Sequence, residues 1–100
     1  MVYSVFWTNK AVKKVNSIVG YIRSEWTEKE VDHFLNELDR IIAVIEINPK
    51  LFRASSKREN IHLALITKHA ILIYQLKPHK KQINVLLLWH TKQNPKKLNY

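Results

Sequence analysis

An α+β fold is predicted by three features of the sequence. It opens on a short β-branched and aromatic segment, continues through two stretches whose apolar residues recur every three or four positions, and ends in β-prone runs separated by turns. The expected architecture is an N-terminal strand, an antiparallel helical hairpin, and a three- to four-stranded antiparallel sheet with the hairpin packed on one face. One hundred residues suit a single domain, divided as strand 1–7, hairpin 9–47, sheet 53–90 and a basic tail 91–100.

Val2 to Trp7 reads as a strand that runs into Thr8, a suitable helix N-cap. Ala11, Val15, Ile18, Val19, Ile22 and Trp26 then form one apolar stripe of a first helix. Gly20, the only glycine, lies inside it and predicts close packing against a neighbouring helix. Thr27-Glu28-Lys29-Glu30 has the form of a capping box and starts a second helix, whose stripe of Val31, Phe34, Leu35, Leu38, Ile41, Ile42 and Ile45 stops at Asn48-Pro49. Strands are expected over 61–66, 70–76 and 82–89, with an irregular edge strand near Arg53 to Arg58. Trp7, Tyr74 and Trp89 are read as core or half-buried sheet residues.

The chain carries 17 Lys plus Arg against 8 Asp plus Glu, a net charge of +9. Up to Ile47 there are six basic and seven acidic residues; beyond it there are eleven basic residues and only Glu59 as an acid. The helical part is thus expected to be scaffold, and the sheet's free face and strand ends to carry a cationic surface for an anionic partner. The absence of cysteine excludes disulfides, thiolate zinc sites and a cysteine nucleophile. No apolar run approaches the roughly 18 residues of a membrane span, and a soluble, unprocessed, cytoplasmic protein is expected.

One glycine cannot build a phosphate loop, and His33, His62, His69, His79 and His90 are scattered without metal-ligand spacing, so neither metal nor cofactor is expected. With Glu59 alone in the strand segment, a two-carboxylate hydrolytic site has no place to form. What remains is a set of bases and aromatics: Arg53, Lys57, Arg58, His62, Lys68, His69, Tyr74, Lys80, Lys81, His90, Lys92 and Tyr100. On RNA, such cations can stabilise a pentacovalent phosphate while His or Tyr moves protons; on DNA or protein they only bind. The residues alone leave these alternatives open, together with a plain nucleic-acid-binding module.

Trp7-Thr8-x-x-Ala11, Tyr21-Ile22 before Trp26, Asn48-Pro49-Lys50-Leu51-Phe52, Ile73-Tyr74 and Lys92-Gln93-Asn94-Pro95 occur in an order and spacing that resemble the RelE/ParE family of bacterial toxins. These are toxins of type II toxin-antitoxin modules, also known as plasmid stabilisation proteins. The resemblance spans nearly the whole chain. It implies a growth-inhibiting toxin neutralised by a cognate antitoxin with an acidic segment, and a hydrophobic groove between hairpin and sheet to receive it. It also implies one of two activities, ribosome-dependent and metal-independent mRNA cleavage or poisoning of DNA gyrase, with no membrane or small-molecule substrate; an inactive toxin relic is the remaining reading.

For mRNA cleavage the resemblance assigns Arg58 and Lys92 to phosphate stabilisation and His62 or His90 to acid/base work. Arg53, Lys57, Lys68, Lys80, Lys81 and Tyr100 would bind nucleic acid or target. Two departures bear on this. Many relatives have arginine near His62, and Lys92 replaces the arginine of an Arg-Gln-Asn-Pro ending, losing the bidentate grip on phosphate. For gyrase poisoning, Lys92 and the tail from Gln93 to Tyr100 would be the contacts.

Overall fold

The computed structural model of the protein describes residues 2–93, 97, 98 and 100. Asn94 and Pro95 of the family-like ending, with Lys96 of the tail, lie outside the described residues. The chain runs β1 (Ser4–Trp7), α1 (Asn9–Glu25), α2 (Glu28–Ile47), β2 (Arg53–Ala54), β3 (Ile61–Thr67), β4 (Ala70–Lys77), a one-turn 3-10 helix (Pro78–Lys80) and β5 (Gln82–His90). Among the described residues, no helix is long and apolar enough to cross a membrane.

Both helices start where their caps predict. Thr8 Oγ1 accepts from the Ala11 amide at 3.1 Å, and Thr27 Oγ1 accepts from the Glu30 amide at 3.3 Å. Thr8 has a second role, because its hydroxyl also lies 3.1 and 3.0 Å from the Val85 and Leu86 carbonyls of β5. The α2 stripe turns Val31, Phe34, Leu38, Ile41 and Ile45 inward, and α2 ends at Asn48 before the proline.

Among the described residues, five strands form one mixed sheet in the order β1-β5-β4-β3-β2, the N-terminal strand joining the three- to four-stranded antiparallel sheet expected. The additional member is β1, which pairs in parallel with β5, Ser4 opposite Gln82 and Trp7 opposite Val85. Partners nearly 80 positions apart leave no local pattern in the sequence. β2 is the irregular edge strand, reduced to two residues. The other pairings are antiparallel.

The hairpin covers one face. There the rows His62–Tyr74–Val85 and Ala64–Leu72–Leu88 meet Ala11, Ile18 and Ile22 of α1 and the inward residues of α2. Tyr74 is fully buried as expected, and its hydroxyl donates to the Pro49 carbonyl at 2.6 Å, which ties β4 to the loop after α2. Trp7 and Trp89 are half-buried.

Two expectations about α1 do not hold. A Cβ built on Gly20 meets nothing within 4 Å, so the glycine is exposed and answers to no close packing. Trp26 is 46% exposed because it follows the last helical residue, and its extended backbone (φ −131°, ψ −150°) leaves the stripe.

Gly20→Ala is therefore expected to stabilise the protein by about 0.5–1 kcal/mol in urea denaturation, since Ala loses less backbone entropy in a helix and meets no obstacle here. Tyr74→Phe is expected to lower stability by about 1–3 kcal/mol in the same assay, because the Pro49 carbonyl loses its buried donor.

Candidate functional site

The face of the sheet away from the hairpin is apolar, not the cationic surface expected. Ile61, Leu63 and Ile73 are buried there with Ile71, Leu86, Leu87 and Trp89 around them. Cross-strand register builds the rows Leu63–Ile73–Leu87 and Leu65–Ile71–Trp89. A β-bulge opposite Ile73 and Tyr74 leaves Leu86 as the extra residue, so that Leu86 and Leu87 both join this cluster. The signal was present in the near-continuous apolar runs of 70–76 and 83–89, which suit strands buried on both faces rather than on one.

Two described residues of the tail belong to this face. Leu98 and Tyr100 pack against the cluster, so the C-terminal segment is not simply a polar extension. The turn after β2 clasps it: Ser55 Oγ donates to the Tyr100 carbonyl while accepting from the Lys57 and Arg58 amides at 3.0 and 3.2 Å. Lys57 Nζ donates to the Leu98 carbonyl at 3.1 Å, and the Arg58 guanidinium lies 4.8 Å from the centre of the Tyr100 ring. Beside this clasp are two adjoining depressions of about 430 and 370 Å³ that share Arg53, Leu63 and Ile71. Leu65 lines the second and is 61% exposed. The groove thus has an apolar floor and a cationic rim of Arg53 and Lys57. Ser55 and Leu65 were not singled out from the sequence, since nothing local distinguishes them, and Phe52 entered only as part of the motif after the second helix.

Arg53, Lys57, Arg58 and Tyr100 are therefore brought together, while the remaining candidates lie elsewhere. His62 faces the hairpin, stacked on Tyr74 (5.5 Å between centroids, 17° between planes), and its Nδ1 has no hydrogen-bond partner among the described residues. Burial, with Lys50 adding to it, holds its pKa below the ordinary histidine value. His90 also faces the hairpin side, at the far end of β5, with Tyr21 set edge-on at 4.7 Å. Its pKa is lowered by burial first and then by Lys14, His69 and Lys92. The Lys92 ammonium sits 4.6 Å from the Tyr21 ring centre, and interaction with the Tyr21 phenol raises its pKa. Lys68 lies 3.7 Å over Trp26, Lys81 lies 5.5 Å over Tyr3, and Lys80 lines a separate pocket of about 280 Å³ with Asn60 and Gln75.

The sheet register measures how far apart the two histidines are. His62 pairs with Tyr74 and His90 with Ala70, four residues along β4 and on opposite sides of it. They are separated by about 13 Å along the strands and about 10 Å across them. Arg58 is on neither histidine's side of the sheet. Arg58, His62, His90 and Lys92 thus occupy three places and do not surround one phosphate. Among the described residues, no three His, Cys, Asp or Glu side chains are grouped to hold a metal.

The two lowered histidines have a consequence for pH. In the folded state they resist protonation below the unfolded value near 6.5, so the unfolded chain takes up protons first. Their contribution to stability is whole above that value and is lost as pH falls through the folded pKa values. Stability measured from pH 7 down to pH 5 is expected to decline, and His90→Gln to flatten the decline.

Comparison with known proteins accords with this architecture. The chain superposes on the chromosomal ParDE toxin-antitoxin system of P. aeruginosa with a TM-score of 0.71 and 15% identity, over 89% of this chain and 96% of that one. It superposes on the toxin-antitoxin complex RelBE2 of Mycobacterium tuberculosis with a TM-score of 0.63 and 13% identity, over 90% and 92% of the chains. On the archaeal RelE-RelB complex of Pyrococcus horikoshii the TM-score is 0.58 and the identity 20%, over 94% and 100%. At these identities the likeness is one of fold. A search of curated proteins returned no match. The family model described as ParE toxin of type II toxin-antitoxin system, parDE, matches residues 5–95, and the chain belongs to that family.

Proposed function

We propose that this toxin acts as a ParE-like poison of DNA gyrase and is neutralised by a cognate antitoxin seated on the open-face groove. The observation that carries the first part is the dispersal of Arg58, His62, His90 and Lys92. Cleavage of RNA without a metal needs a cation and proton-transfer groups within hydrogen-bond reach of one phosphodiester. Binding to an enzyme target needs no such convergence. The family model that matches is that of ParE, which favours the same reading.

The antitoxin reading rests on the groove's chemistry. An apolar floor of Leu63, Leu65 and Ile71 beneath Arg53 and Lys57 suits a segment that alternates apolar and acidic side chains. Because hairpin and sheet meet through a continuous buried core, this reading takes the open-face groove, rather than one between hairpin and sheet, as the antitoxin's seat. A second reading, mRNA cleavage, draws on Arg58 and Tyr100, whose stacking puts a cation and a phenol side by side.

Induction from a tightly repressed promoter, with DNA topology and transcript integrity followed in the same cells, separates the two. Broken or relaxed DNA with whole transcripts is the expected result. Cut transcripts with normal topology, abolished by Arg58→Ala, would establish the second reading instead. For the groove, Leu65→Asp is expected to leave the toxin active but no longer rescued by its co-expressed antitoxin, because a carboxylate is placed where the acidic segment lies. Undiminished rescue would move the antitoxin elsewhere.

A further inference from the structure

The near-neutral charge of residues 1–47 conceals a separation between the two helices. α1 has four basic residues and one acidic, net +3, whereas α2 has six acidic and two basic, net −4. At about 100° per residue, Lys10, Lys14 and Tyr21 fall within about 40° of one another on α1. Tyr21 carries the row to the end of β5, packing edge-on against His90 with Lys92 over its own ring, and the charge of Lys14 is felt by the same imidazole.

A second aromatic-cation stack adjoins the first. Lys68 lies over the exposed Trp26, whose edge meets His69 at 5.4 Å. Thr91 joins the two stacks, its amide donating to the His69 carbonyl at 2.9 Å and its hydroxyl to that of Lys68. Among the described residues, two carboxylates adjoin the stripe near Trp26. Glu25 acts on Lys92, and Glu30 lies 3.7 Å from the buried His69 Nε2. From Lys10 to Trp26 the stripe extends about 24 Å along the helix direction.

We propose that this stripe is a binding site for single-stranded nucleic acid, with Lys10, Lys14, Lys68 and Lys92 on the phosphates and Tyr21 and Trp26 stacking bases. Cations interleaved with aromatic faces are the chemistry that single strands require, because their bases are free to leave one another and stack on protein rings. A duplex would offer only its phosphates, and an acidic peptide would have no use for two rings. In the free protein the ammonium groups of Lys68 and Lys92 rest on those rings. When a phosphate draws the ammonium away, the ring face is left to a base. The site lies on the hairpin side of the sheet, away from the groove assigned to the antitoxin, and it does not depend on the gyrase reading.

The test is fluorescence anisotropy of labelled oligothymidylate, oligouridylate and a duplex of equal length, with the purified protein at low salt. Binding to single strands is expected, weakening with salt, and Lys14→Gln with Lys92→Gln should reduce the log–log salt slope by about 1.4, about 0.7 for each charge removed. Trp26→Ala should weaken binding roughly tenfold with the slope unchanged, and Trp26→Tyr should restore it. Arg40→Gln, on the acidic helix, serves as a control that should bind like the parent. A preference for the deoxy or the ribo strand supports the site and names the polymer. Failure to bind either strand, unaltered binding by the stripe variants, equal affinity for the duplex, or equal competition by polyglutamate would each overturn the proposal.

Discussion

The constraint on which the rest of the structure depends is the burial of β4 on both faces. Leu72, Tyr74 and Leu76 point into the core under the hairpin, and Ile73 is as fully buried on the other side. A central strand of this kind can be satisfied only if each face is covered by something. The helices cover the first. The second is covered unevenly, by cross-strand neighbours and by the clasped residues Leu98 and Tyr100, and the part left uncovered is the groove over Leu63, Leu65 and Ile71.

The same constraint distributes the charge. Because neither face of the sheet can hold lysines, the excess of positive charge is displaced to strand ends, turns and the outer side of α1. Lysines there rest on aromatic rings: Lys68 on Trp26, Lys81 on Tyr3 and Lys92 on Tyr21. Imidazoles fare differently. His62 and His90 lie on the hairpin side, where burial favours their neutral forms, and their separation across β4 keeps them from acting on one group. The cationic half of the chain therefore presents several small, distinct surfaces instead of one basic face.

Much of the local structure was legible. Thr8 and Thr27 announced both helix starts and Asn48-Pro49 the second helix end, since caps and proline act within a few residues. The three long strands lie within a residue of where the apolar runs placed them. Gly20 misled, because a glycine in a helix can signal close packing or nothing at all, and only the neighbouring space distinguishes the two. Trp26 fitted the helical stripe by number but lies one residue beyond the helix.

By itself, the sequence determined the element order, the helix caps, the absence of thiol chemistry and the family resemblance, all of which rest on composition or on short-range spacing. The tertiary structure alone decided that β1 closes in parallel on β5, that the free face of the sheet is apolar, and that Arg58 meets Tyr100 while His62 and His90 stay apart. The physical reason is that strand order, register and one β-bulge set these meetings. Each joins residues whose separation along the chain leaves no periodic trace.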